Sequence, residues 1–317
     1  MNRTLVAAAI TAAAAAVVIV ILPFLLDGYH EGIVTDVAIY FIAILGLNIL
    51  TGYTGQISIG HGAFMMIGGY TTVIMSHDHH MNLIATLPLA ALVSFGCGLL
   101  VGLPALRLSG VYLALATFAL AVSVPQLPLK FSKFLGGSNG LQTDHTVSHL
   151  WLYVVSWSCA GIAFVAAWLL LRGRIGRAFR SVRDSEVAAV SSGVSLPIYK
   201  TFAFGVSAAY AGVAGSLFVL ATNGFAQPNE FGILLSLKIL IGAAVAGLGS
   251  LWGLVVGAVF VGLLPEISSS VPLLGPAHGQ DLVFGLVVIL VMLLLPNGFA
   301  GLLARVQAAI KSNPKTS

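Results

Sequence analysis

The chain has 317 residues, 58% of them hydrophobic and only 8% charged, with a mean hydropathy of +1.03. Those values fall outside the range of soluble domains and indicate an integral membrane protein, read as one multi-helix domain over residues 1–317. A net charge of +4 that does not gather into one patch argues against nucleic acid as a partner, and two cysteines, Cys97 and Cys159, give neither a disulfide framework nor zinc-ligand spacing.

Apolar stretches predict spans at 5–26, 33–50, 57–75, 83–103, 110–129, 150–171, 200–221, 231–248, 250–265 and 281–296. The expectation is an all-α polytopic bundle of about 8–10 transmembrane helices, some short or broken. The first span follows Arg3 and contains an alanine run. A cleaved signal peptide would share these features, but the apolar length suits a retained helix in contact with membrane lipid. Threading the spans alternately with the amino terminus in the cytoplasm puts Arg3, Arg107, the group Arg172, Arg174, Arg177, Arg180 and Arg183, and the basic residues of the tail at 304–317 on the inside. The segments 27–36, 76–82 and 130–149 fall on the other side, where Lys130 and Lys133 are the basic exceptions. Both termini are then cytoplasmic.

Between the second and third spans lies "GYTGQISIGHGAF", residues 52–64. Its glycines permit close helix approach or a broken helix. Its polar groups would be costly facing lipid, so Gln56, Ser58 and His61 should point into the bundle. With Asn48 they are candidates to line the route of a zwitterionic solute. The competing reading is that they hydrogen-bond neighbouring helices. A second glycine-rich, interrupted region, "GAAVAGLGSLWGLVVGAV" at 242–259, lies in the other half of the chain, and paired interruptions of this kind often border a translocation path. Lys238, in "LSLKILIG", is either a pathway residue, a snorkelling side chain or one partner of an acid elsewhere. The histidines of "SHDHH" at 76–80 read as a solvated turn, and no metal or cofactor is assigned.

The connection from Arg172 to Tyr199 is the longest on the inside. In it, Asp184 or Ser185 can cap a short helix that stops at Gly193, with Pro197 beyond. Ala188 and Ala189 would give that helix a face of little bulk for another protein, and Arg177, Arg180 and Arg183 would offer charged contacts. The bland alternative is that these arginines only set topology. No glycine precedes any lysine, so the chain lacks a GxxxxGK[ST] phosphate loop. No Asp or Glu is expected in the interior of a span either, which argues against a proton-coupled carrier and for an external source of energy.

These segments, together with "LRLSGVYLALATFALA" at 106–121, "GGSNGL" at 136–141, "GRIGRAFRSVRDSEVAAVSSGV" at 173–194, "GLGSLWG" at 247–253 and "LVVILVMLLLPNGFAGLL" at 286–303, resemble the LivM-type permease subunits of branched-chain amino acid ABC importers. The resemblance is ordered and covers nearly the whole chain. It implies a non-enzymatic transmembrane subunit of the bacterial inner membrane. The implied partners are a second, homologous LivH-like permease, two ATPase subunits and a periplasmic solute-binding protein. It also implies that 172–199 holds a segment coupling to the ATPase, matched here by Glu186, Ala188, Ala189 and Gly193. A stand-alone channel for a small polar solute such as urea or an amide is the alternative.

Overall fold

The computed structural model describes residues 27–108, 110–143 and 147–269, with isolated positions between 285 and 301. The expected spans 5–26 and 281–296 and the tail 304–317 therefore lie outside the described residues, apart from those positions.

Helix α1 (Gly28–Leu47) runs on through a π-helical turn, Asn48–Gly52. After the interruption at 53–60 come α2 (His61–His77), α3 (Leu83–Ala105) and α4 (Val111–Ser123), the last extended by single turns to Leu135. Next are α5 (His149–Arg172), α6 (Arg174–Asp184), the short α7 (Glu186–Ser191) and α8 (Leu196–Ala221). Helices α9 (Ile233–Ala246) and α10 (Leu254–Ser269) flank the second interruption. Six of the helical stretches are long and apolar enough to cross a membrane, as an all-α polytopic membrane protein requires. The strands β1 (Leu141–Gln142) and β2 (Phe225–Ala226) form one two-residue antiparallel pair, which joins the connection before α5 to the one after α8.

Local chemistry sets several boundaries. The Asn82 side chain accepts from Ile84 N–H at 3.0 Å and starts α3, and Ser148 Oγ accepts from Trp151 N–H at 3.3 Å and starts α5. Helix α1 begins five residues before the apolar stretch at 33–50, so Glu31 and Asp36 lie within it, where the sequence places them in a connection. Helix α2 differs more. The sequence predicts a span from Ile57, but residues 55–60 are not helical and the helix starts at His61. Gly55 adopts φ +73°, a left-handed conformation that ends the preceding turn, and the peptide groups that follow find side-chain partners instead of a helical ladder.

Packing separates centre from rim. Of the spans containing α1 and α8, 78% is buried within the chain, against 28% for α3 and 22% for α5. The outward apolar faces of α3 and α5 are thus those left for lipid or for another subunit. At the centre, Gly68 of α2 lies directly against Gly212 of α8, and a side-chain carbon at either would collide with the other helix or with Ser94. Two backbones this close gain dispersion and short interhelical bonds, such as the pair of hydroxyls Thr72 and Ser216.

The bundle has two chemically distinct ends. At one, His80–Leu83, Val147, Ser148 and Trp151 line an open cleft of about 470 Å³, and the Tyr29 hydroxyl donates to Glu266 at 2.5 Å. At the other lie α6, α7 and both glycine-rich interruptions.

Candidate functional site: where the two interruptions meet

The polar residues singled out in the first interruption are all buried. Asn48 and Ser58 are fully inaccessible, His61 is 1% exposed and Gln56 5%. Their partners show what most of them do. Asn48 Oδ1 accepts from Gly249 N–H at 2.8 Å, and its Nδ2 donates to the Ser250 carbonyl at 3.1 Å. One amide in the first interruption therefore satisfies two backbone groups of the second, 201 and 202 residues away. Gly52 and Gly249 approach so closely that a side chain at Gly52 would strike both Gly249 N and Asn48.

Gln56 is held locally. Its Nε2 donates to Thr54 Oγ1 at 2.9 Å, while its carbonyl accepts from the Thr51 hydroxyl at 3.0 Å. Ser58 Oγ accepts from Gly60 N–H at 3.3 Å. These three residues brace the turn and its junction with the second interruption. His61 differs. It opens α2 buried, with the Ala43 carbonyl near the ring but neither ring nitrogen in well-formed hydrogen-bond geometry with a described residue, and its Nε2 occupies space that a side chain at Gly46 would need.

Two residues that sequence reasoning missed close this region from the other side. Thr117 of α4 accepts from Ile59 N–H at 2.9 Å while its own hydroxyl faces the Leu113 and Ala114 carbonyls, and Gly60 packs onto it. Ser236 of α9 accepts from Gly62 N–H at 2.9 Å, satisfying one of the free donors at the start of α2. Both are small hydroxyls in apolar helices, a signal too weak to find without the fold. Lys238, one turn beyond Leu234 on α9, is half-buried beside the exposed Leu234 and Leu237.

The arginine end reaches the same place. Helix α6 buries Gly176, Ala178, Phe179 and Val182 and turns Arg174 and Arg177 outward, with Arg180 half-buried and Arg183 partly exposed at its end. Burial pushes the Tyr53 hydroxyl above its ordinary value, and the neighbouring Arg180 and Arg183 oppose that shift. Arg183 donates through Nη1 to the Gly52 carbonyl at 3.0 Å, while Nε and Nη2 sit 3.1 Å from Asp184 Oδ1.

Helix α7 forms as the capping pattern predicts. Ser185, rather than Asp184, is the cap and accepts from Ala188 N–H at 3.3 Å, and Gly193 at φ +80° follows the end. The small-residue face is split, however. Ala188 is exposed, but Ala189 is 1% exposed and packs inward, so Ala189 is unavailable for an outside contact. The outward face belongs to Val187, Ala188 and Val190, with the two valines 79% and 55% exposed. Glu186 is also engaged within the chain, pairing with Lys200 Nζ of α8 at 2.6 Å, whose side chain is only 8% exposed.

The family described as branched-chain amino acid transport system / permease component matches residues 29–292. The high-affinity branched-chain amino acid transport system permease protein LivM of Salmonella typhimurium is 31% identical over 92% of this chain and 74% of its own length. LivM of Escherichia coli is 31% identical over 77% of this chain and 65% of its own. The permease protein LivH of Salmonella typhimurium is 24% identical, covering 84% of this chain and 93% of that protein. No solved structure matches. A family match over most of the described helices, in an all-α bundle of apolar helices, places this chain in the permease-component family of branched-chain amino acid transport systems, a family of transport components and not of enzymes.

Proposed function

We propose that this chain is the LivM-type permease subunit of a bacterial inner-membrane ABC importer for branched-chain or related amino acids. It forms half of the translocation pathway with a second, LivH-like permease. Two separate ATPase subunits supply the energy and a periplasmic solute-binding protein delivers the solute. Likeness to both LivM and LivH supports the permease pair.

The observation that carries the coupling part is helix α7. Val187, Ala188 and Val190 stand exposed beside a row of arginines, at an end of the bundle where the charge density is incompatible with hydrocarbon. Apolar side chains presented there, on a helix held by its own cap, make a docking surface for a soluble subunit, with Arg174 and Arg177 as its charged rim. Residues 172–199 thus form the coupling loop of a single permease domain.

The test is reconstitution. Proteoliposomes holding this chain, its second permease and the ATPase subunits should take up labelled leucine only with ATP on the ATPase side and binding protein on the other. Solute flux through this chain alone, independent of ATP, would instead establish the stand-alone channel.

A further inference from the structure

Arg183 belongs to the arginine row by sequence but not by geometry. Arg174 and Arg177 point outward from α6, whereas Arg183 turns back across the end of the bundle to the Gly52 carbonyl at 3.0 Å. That carbonyl closes the π-helical turn, where the helical ladder of α1 runs out. The Arg183 stem also fills the space beside Gly55, whose side-chain position would lie 3.2 Å from Cγ, and Nη1 lies 3.1 Å from the equivalent position on Gly249. Both glycines have positive φ, +73° and +83°.

One guanidinium thus touches both interruptions, and Asn48 fastens them to each other just behind it. Asp184 orients the group through Nε and Nη2, leaving Nη1 for Gly52. Asp184 is followed directly by Ser185, the cap of α7. The connection from the exposed face of α7 to the junction of the interruptions is therefore a few bonds long, and a tilt or shift of α7 cannot leave the guanidinium in place.

We infer that Arg183 is a latch: it holds the two glycine-rich interruptions together at the arginine end of the bundle, and movement of the docking helix releases it. This rests on the importer reading. It makes Arg183 a positioning residue and removes it from the docking surface. Interruptions with positive-φ glycines can change backbone angles without breaking long helical ladders, so the point where they meet is where the bundle can open at low cost. The hydrogen bond from a charged donor to a peptide carbonyl is strong enough to bias such a two-state element, and weak enough to be overcome by a nucleotide-driven displacement.

The test uses the assembled complex in inside-out vesicles. In the Arg183→Ala complex the ATPase subunits should still co-purify in wild-type ratio, while solute moved per ATP falls about tenfold, the scale expected when one charge-assisted hydrogen bond is lost. A second readout reports the latch itself. A cysteine replacing the exposed Leu248, between the two turns, should react with a maleimide faster when ATP and vanadate are added to wild type. In the Arg183→Ala background it should react fast with or without nucleotide. Arg183→Lys, which keeps the charge on a flexible stem, should fall between. Loss of the ATPase subunits in both variants would make Arg183 a docking residue and overturn the latch, as would a wild-type ratio of transport to hydrolysis. Absence of ATP-dependent release of lumenal solute from vesicles of the wild-type complex would instead defeat the importer reading, and the latch with it.

Discussion

Asn48 and His61 are both buried polar residues beside the first interruption, yet their energetics have opposite signs. Asn48 gives two hydrogen bonds to Gly249 and Ser250, so Asn48→Ala strands a donor and an acceptor and should cost about 1–3 kcal/mol of permease stability. His61 makes no well-formed hydrogen bond to a described residue, so its imidazole carries a desolvation penalty that the nearby Ala43 carbonyl offsets only in part. Replacing it with leucine, an apolar residue of similar size, should leave the thermal midpoint of the purified permease unchanged or higher. Loss of uptake in a His61→Leu protein of full stability would assign the ring a transport role, whereas a lowered midpoint would show that the ring is needed to hold α2 in place. The contrast could not be read from sequence. Asn, Gln, Ser and His in a glycine-rich stretch look alike there, and their partners lie on segments up to about two hundred residues distant.

At the scale of elements, what the sequence made legible follows the range of the interactions involved. Helix α7 was predictable because its determinants, Ser185 at the start and Gly193 beyond the end, lie within a few residues of it. The start of α2 was not, because Ile57 and Ile59 carry the hydropathy of a span while the groups that satisfy Ile59 before the helix and Gly62 at its start, Thr117 and Ser236, come from α4 and α9. Local pattern also could not say which alanine of α7 faces out. With Ala189 inside and Ala188 outside, the same substitution tests two different things. Ala189→Phe should overpack the permease itself, at about 1–3 kcal/mol, and lower its yield in the membrane. Ala188→Phe should leave yield and midpoint unchanged and reduce the ATPase retained on purification. Equal loss of yield in both would mean that α7 has no outward face to offer. The pair Glu186–Lys200 points the same way: the carboxylate expected at the edge of a docking surface instead ties α7 to the core helix α8, so displacement of α7 is felt in the membrane.

For the whole molecule, the charge difference between the two ends of the bundle predicts an orientation. Helix α6, α7 and both interruptions gather at one end. The start of α1, the turn at 76–82 and the start of α5 gather at the other, where Gly28 meets His149 and the cleft beside His80 opens. Alternate threading of the apolar stretches anticipated this partition for the described spans, because hydropathy and chain reversal are all it needs. Five arginines between Arg172 and Arg183 are hard to move across a bilayer, so the arginine end should be cytoplasmic. A cysteine replacing Val187, 79% exposed on α7, should then resist an impermeant maleimide in intact cells and react once the membrane is opened. A cysteine replacing His79 should react in intact cells. Labelling of position 187 from outside would invert the molecule. That outcome would put the valine face of α7 out of reach of any cytoplasmic ATPase and end both the docking and the latch arguments at once, because each requires α7 to lie on the side where ATP is hydrolysed.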